Sequence, residues 1–138
     1  MRKYLAFISL LTVLFLPFDA HGQDVAYPAH PGDSVLCNAF IEMEKGSISG
    51  ICALVNDGDT IKGAIVNEFG ITALDFYYVI DKDEVKLENV ITMLDKWYIK
   101  RVIAKDLREL LHALKDGKTI YYNEKYKIRY ALTPMVQN

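Results

Sequence analysis

Two carboxylates in the stretch IVNEFGITALDF, residues 65–76, are the first candidates for chemistry. General acid–base catalysis would need Glu68 and Asp75 in one shared cleft, with environments that drive their pKa values apart. The stretch instead alternates apolar and polar residues on both sides of Phe69-Gly70, which predicts two strands and a turn. That hairpin places the two carboxylates several residues apart on a half-exposed face. We therefore expect solvated surface residues and no catalytic pair.

The remaining chemical groups also lack the spacing of a known type of site. The three histidines, His21, His30 and His112, do not have zinc-ligand spacing. The chain contains no G-x-S-x-G elbow, phosphate-binding loop or dinucleotide fingerprint, and its acidic turns do not match a calcium loop. We expect a protein that is not an enzyme and uses no metal or cofactor.

The chain has two cysteines, Cys37 and Cys52. Both lie among apolar residues, which raise the pKa of a thiol and leave it unreactive. The strand register derived below makes them diagonal neighbours, and a one-step change in the first turn would place them directly opposite each other. The sequence is therefore compatible with a disulfide and also with two buried free thiols.

The first residues are typical of a secretory signal. Arg2 and Lys3 precede an apolar run over residues 4–18, and AHG (20–22) offers small residues for cleavage after Gly22. The run is shorter than the ~20 residues of a spanning helix. We predict a signal peptide (1–22), an extended leader (23–34) and a single domain (35–138).

Export would deliver the mature chain to the periplasm or the outer envelope, without a transmembrane segment after cleavage. Cys37 lies too far beyond the predicted cleavage point to be the lipidated residue of a lipoprotein, so no lipid anchor through Cys37 is expected. The formal net charge is −2 at pH 7 and the predicted mature chain has no basic run, which argues against a nucleic-acid partner.

Period-two hydrophobicity predicts five antiparallel strands, at residues 35–44, 47–55, 60–68, 71–81 and 85–87. Two-residue turns at Lys45-Gly46, Asp57-Gly58 and Phe69-Gly70 would set the register. With these turns, one face of the sheet is consistently apolar. Gly50 and Gly63 lie within strands on that face and predict a bend or a close approach. The residues of this face that we predict to contact a ligand are Ile41, Leu54, Ile61, Ile65, Leu74, Phe76, Tyr78 and Leu87.

Helical periodicity follows the strands. The segment AKDLRELLHALKDG, residues 104–117, predicts a helix that ends at Gly117. A preceding helical pattern starts at Val90, and its end is ambiguous because residues 98–103 also fit a strand. The tail predicts a hairpin around Asn123-Glu124. The predicted fold class is α+β: a curved antiparallel β-meander, or incomplete barrel, of about five strands plus a C-terminal hairpin, packed on one or two helices.

The stretch GSISGICALVNDGDTIKGAIVNEFGITALDF, with the later KDLRELL, resembles the lipoprotein carrier and receptor (Lol-type) superfamily. It is most similar to short envelope proteins and lipoproteins of Bacteroidetes-like bacteria. The resemblance covers residues 40–114. It implies a curved antiparallel sheet closed by helices, whose concave apolar face holds the acyl chains of a lipid or lipoprotein.

Two functions follow as expectations. The first is a periplasmic, non-enzymatic binding protein for a lipid, a lipoprotein acyl chain or another apolar ligand. The alternative is an envelope protein–protein interaction module without a small-molecule ligand. It would use the half-apolar outer face of the sheet, formed by Phe40, Ile51, Val66, Tyr77 and Val79.

Overall fold

The computed structural model describes residues 26–135. The predicted signal peptide (1–22) and the first residues of the predicted leader lie outside this range. The described elements are seven strands, a short 3₁₀ turn at Thr92–Leu94 and one long helix. The strands are β1 (Ser34–Met43), β2 (Gly46–Asn56), β3 (Thr60–Val66), β4 (Thr72–Val79), β5 (Glu84–Val90), β6 (Ile120–Asn123) and β7 (Ile128–Pro134), and the helix is α1 (Trp97–Lys115).

All seven strands form one antiparallel sheet in the order β5-β4-β3-β2-β1-β7-β6. The sheet curls into a half-barrel with α1 on its concave side, so the predicted α+β incomplete barrel is confirmed. The five-strand meander continues into the C-terminal hairpin, because β7 pairs with β1. The helix contacts both edge strands, β5 and β6, and thus bridges the open side of the half-barrel.

The helix α1 forms because apolar residues recur at helical spacing along one stripe. Ile103, Leu107, Leu110, Leu111 and Leu114 are buried against the sheet. The amide of Lys118 donates to the carbonyl of Ala113 (2.8 Å) and that of Gly117 to Leu114 (3.0 Å). With Gly117 at a positive φ of 86°, these bonds form a Schellman stop.

The predicted stop at Gly117 is confirmed. The alternative of a strand at residues 98–103 is wrong, because α1 includes this segment and packs Ile99 and Val102 against the core. The predicted helical start at Val90 is also wrong, because Val90 is the last residue of β5 and α1 begins at Trp97.

The predicted apolar face is confirmed, although several predicted turns are displaced by one residue. In the β1–β2 hairpin Met43 pairs with Gly46, so the turn is Glu44-Lys45 and not Lys45-Gly46. The β2–β3 and β4–β5 pairings also differ from prediction by two residues, whereas Ile65 does face Leu74 as predicted. A two-residue displacement leaves every side chain on its predicted face, because side chains alternate with period two.

The displaced first turn changes the geometry of the cysteines. Cys37 and Cys52 are directly opposite each other on β1 and β2, not diagonal. Both are buried free thiols in the structure.

The C-terminal hairpin also has a different turn from the one predicted. Asn123 pairs with Ile128, so residues 124–127 form a longer loop that includes Lys127 at a φ of 55°. Tyr126 therefore lies in an exposed turn and not on the inner face.

The described part of the leader, residues 26–33, is packed against the domain. Ala26 belongs to the core, and the side-chain amide of Asn56 donates to the carbonyl of Pro28 at 2.9 Å. Within residues 26–135, no helix is both long enough and apolar enough to cross a membrane.

Both predicted strand glycines are sites of close approach. A Cβ at Gly63 would lie 2.2 Å from the Phe76 ring, and a Cβ at Gly50 would lie 2.1 Å from the carbonyl oxygen of Val66. Gly63 thus admits an aromatic side chain into the concave core, and Gly50 lies where β2 parts from β3.

We expect Gly63→Ala to destabilise the protein by about 2 kcal/mol, because the added methyl group forces the Phe76 ring from its position. Urea unfolding followed by circular dichroism measures the change. Gly46→Ala is the control, since its Cβ would meet only the Met93 sulfur at 3.8 Å. Equal stability of the two variants would contradict this account of Gly63.

Candidate functional site

The concave residues that the sequence predicts as ligand contacts form the core beneath α1. All of them are buried except Leu87, which is partly buried: Ile41, Leu54, Ile61, Ile65, Leu74, Phe76, Tyr78 and Leu87. A cavity between this face and α1, lined by Ile41, Ile65 and Phe76 among others, has a volume of about 10 Å³. That is close to the minimum for a single water molecule. A ligand could contact these residues only if α1 moved away from the sheet, so their role in binding stays a prediction.

An open depression lies instead at one end of the half-barrel, where α1 begins. The β1–β2 turn, the loop before α1 and the β6–β7 turn meet at this end, as shown by Gly46 beside Met93 and by Lys127 at 4.0 Å from Glu44. The depression has two parts, which we call the apolar groove and the basic pocket.

The apolar groove has a volume of about 550 Å³. Its apolar lining comes from β1, the loop before α1, the first turns of α1 and the start of β7. These residues are Met43, Met93, Leu94, Ile99, Val102 and Ile128. Leu94 and Ile128 also belong to the core, so the floor of the groove is the edge of the core itself.

The basic pocket has a volume of about 520 Å³ and lies between α1 and the β6–β7 turn. Arg101, Lys105 and Lys125 supply three cationic groups, and Trp97 and Tyr121 supply aromatic surface. Tyr98, Val102 and Tyr126 line both the pocket and the groove, so the two parts adjoin each other along these three residues. Each part is within the size range of small-molecule sites, about 300–1,000 Å³.

Asp106 forms the base of the basic pocket and is only 2% exposed. The Tyr130 hydroxyl donates to its Oδ2 at 2.6 Å, and the Asn123 side-chain amide donates to both carboxylate oxygens at 2.9 and 3.0 Å. The Asn123 side-chain oxygen in turn accepts from the amide of Tyr126 at 3.1 Å. This network fixes α1 to the β6–β7 hairpin, which forms the opposite wall of the pocket.

Burial raises the pKa of Asp106, and the hydrogen bonds from Tyr130 and Asn123 partly offset that effect. The sequence contains one signal for this residue. Asp106 follows Ile103 and precedes Leu107 and Leu110 in the buried stripe of α1, where a carboxylate requires partners. The sequence does not reveal the network, because the partners of Asp106 come from β6 and β7, across the fold.

A second polar cluster joins α1 to the β4–β5 turn at the other end of the helix. His112 Nε2 lies 2.6 Å from Asp83 Oδ1, which also accepts a hydrogen bond from the Tyr78 hydroxyl at 2.7 Å. The bonds from Tyr78 and then from His112 lower the pKa of the Asp83 carboxyl. Among residues 26–135, no group of three or more His, Cys, Asp or Glu is arranged to hold a metal ion.

The two carboxylates considered first are on the surface, as expected. Glu68 lies in the exposed β3–β4 turn, and Asp75 pairs with Ala64 and accepts a hydrogen bond from Asn89 at 3.0 Å. The outer face of the sheet carries Phe40, Ile51, Val66, Tyr77 and Val79, all at least partly exposed. The structure thus keeps the residues of the alternative interaction surface together on one face.

We expect Tyr130→Phe to destabilise the protein by about 2 kcal/mol at neutral pH, because Asp106 loses its shortest hydrogen bond while staying buried. In the unmodified protein the hydrogen bond from Tyr130 lowers the pKa of Asp106, so the variant has a higher pKa at Asp106 in the folded state. The loss of unfolding free energy should therefore be largest at pH values above the pKa of Asp106 and should shrink as the pH falls through that pKa. Urea unfolding at several pH values, with the exposed Tyr126→Phe as control, measures this; a loss independent of pH would contradict it.

We expect both thiols to be unreactive in the folded protein, because burial raises the pKa of Cys37 to about 11 and that of Cys52 to about 12. An aromatic disulfide reagent at pH 8 should label neither cysteine in the native state and both in denaturant. Native labelling would contradict the burial. An absence of labelling in denaturant would instead reveal a disulfide.

Compared with protein-family models, curated proteins and solved structures, the chain matches none of them.

Proposed function

We propose that this protein is a non-enzymatic binding protein for an apolar ligand, such as a lipid or a lipoprotein acyl chain, exported to the periplasm or outer envelope. The apolar groove is the binding site that the geometry supports best. The observation that carries the proposal is an open depression of about 550 Å³ whose floor is continuous with the core.

The exposure of the groove residues supports this proposal. Met93 is 46% exposed and Tyr98 is half-exposed, although both lie beside buried Leu94 and Ile128. Apolar side chains in a concave site gain free energy when a ligand removes them from water, at about 25 cal/mol per Å². Methionine side chains also adapt easily to acyl chains of different shape.

The predicted concave residues fit the same function through a conformational step. The groove reaches Ile99 and Val102 on the first turns of α1, which pack against the core. A chain longer than the groove would have to lift this end of α1 to reach Ile65 or Phe76. The proposal therefore places initial binding in the groove and deeper contacts only after such a movement.

The second candidate function is protein–protein interaction through the outer face. Ile51 is 45% exposed and pairs with Val66 on the neighbouring strand, while Leu36 and Val55 are exposed nearby on β1 and β2. An apolar patch in the middle of a sheet is a feature of interaction surfaces.

A pair of matched variants separates the two functions. Met93→Glu places a charge in the groove, and Ile51→Glu places one on the outer face, at almost equal exposure (46% and 45%). We expect Met93→Glu to weaken binding of dodecyl maltoside roughly tenfold, because a charge must be desolvated beneath the chain. Ile51→Glu should leave the affinity unchanged.

The fluorescence of Trp97 reports the binding. It is the only tryptophan of the chain, it is 71% exposed, and it lies in the adjoining basic pocket. A blue shift of its emission below the critical micelle concentration, confirmed by calorimetry, gives the affinity. If neither variant affects amphiphile binding while Ile51→Glu abolishes recovery of an envelope protein partner, the second function replaces the first.

A further inference from the structure

We infer that the natural ligand is a monomeric single-chain amphiphile with an anionic headgroup, whose acyl chain lies in the apolar groove and whose anion lies in the basic pocket. This inference rests on the proposed function and adds the chemistry of the headgroup. The first support is that the two parts adjoin, because Tyr98, Val102 and Tyr126 line both, so that one molecule lying across these residues would contact the groove and the pocket together.

The second support for the inference is the charge of the basic pocket. Arg101, Lys105 and Lys125 line it, and none of them forms an ion pair with another residue between 26 and 135. Their neighbours differ in this respect, since Lys100 pairs with Asp95 at 3.0 Å and Arg108 with Glu109 at 2.9 Å. Three cationic side chains that form no ion pair provide complementary charge for a carboxylate or a phosphate.

The acidic residues of the pocket do not reverse this preference. Asp106 is buried, and its oxygens already accept hydrogen bonds from Tyr130 and Asn123. A cationic headgroup could pair with Asp106 only by breaking those bonds. Glu124 is exposed in the β6–β7 turn, as Lys125 is, and it offsets one of the three positive charges, which leaves the lining of the pocket cationic.

The aromatic residues suit the boundary between headgroup and chain. Trp97 and Tyr98 pack edge to face at a centroid distance of 5.7 Å at the start of α1. The Lys125 ammonium lies 5.4 Å from the centre of the Tyr126 ring. Side chains with an apolar body and a polar tip are favoured where a ligand passes from apolar to polar surroundings.

Three amphiphiles with the same chain test the inference: dodecanoate, dodecyl maltoside and dodecyltrimethylammonium, each below its critical micelle concentration. We expect dodecanoate to bind roughly tenfold more tightly than the neutral maltoside at low salt, and the cationic amphiphile to bind most weakly. The advantage of dodecanoate should shrink as salt is added, because its charge contacts are solvent-exposed.

The double variant Arg101→Gln/Lys105→Gln should remove this advantage, so that dodecanoate and dodecyl maltoside bind this variant with equal affinity. The matched control is Lys62→Gln/Lys86→Gln, which removes two lysines from the outer face and should change neither affinity. Circular dichroism establishes that each variant folds.

Each outcome of the test has a distinct meaning. Equal affinity for dodecanoate and the maltoside, or tightest binding of the cationic amphiphile, overturns the inference but leaves the proposed function standing. Failure of all three to bind overturns the proposed function itself. Binding to vesicles of anionic phospholipid without binding of monomeric dodecanoate also overturns the inference, because the recognised anion would then belong to a membrane surface.

Discussion

The burial of one helical stripe in a curved sheet is the constraint on which the rest of the structure depends. The sheet has an apolar inner face, and its two edge strands, β5 and β6, are both in contact with α1. Because the inner side of α1 is apolar from Ile103 to Leu114, the helix packs into the concavity as part of the core. The apolar groove and the basic pocket lie instead at the end of the half-barrel where α1 begins.

Side-chain hydrogen bonds at two positions along α1 hold the helix on the concave side of the sheet. Asp106 holds the β6–β7 hairpin, and His112 contacts Asp83 in the β4–β5 turn. The Asp106 network is buried, so breaking it costs more free energy than breaking the exposed pair of His112. The base of the basic pocket is thus the better fixed of the two connections.

The function proposed for the groove and the pocket combines two physical effects that a single amphiphile satisfies together. The apolar groove offers surface whose burial drives binding, and the basic pocket offers charge that selects the headgroup. The chemically suggestive residues of the sequence have other tasks: the thiols are part of the core, and Asp75 is bonded to Asn89 on the sheet surface.

The sequence by itself determined which residues face inward, because alternation with period two and helical spacing are local properties. It thereby predicted the half-barrel, the stop of the helix at Gly117 and the burial of Ile65, Leu74 and Phe76. It did not determine the register of four hairpins. Three turns are displaced by one residue, which keeps every face unchanged, and the β6–β7 turn is longer than predicted. Only the tertiary structure decided that α1 fills the concavity and that Asp106 meets Asn123 and Tyr130, because these contacts join residues far apart in the chain whose packing no local pattern records.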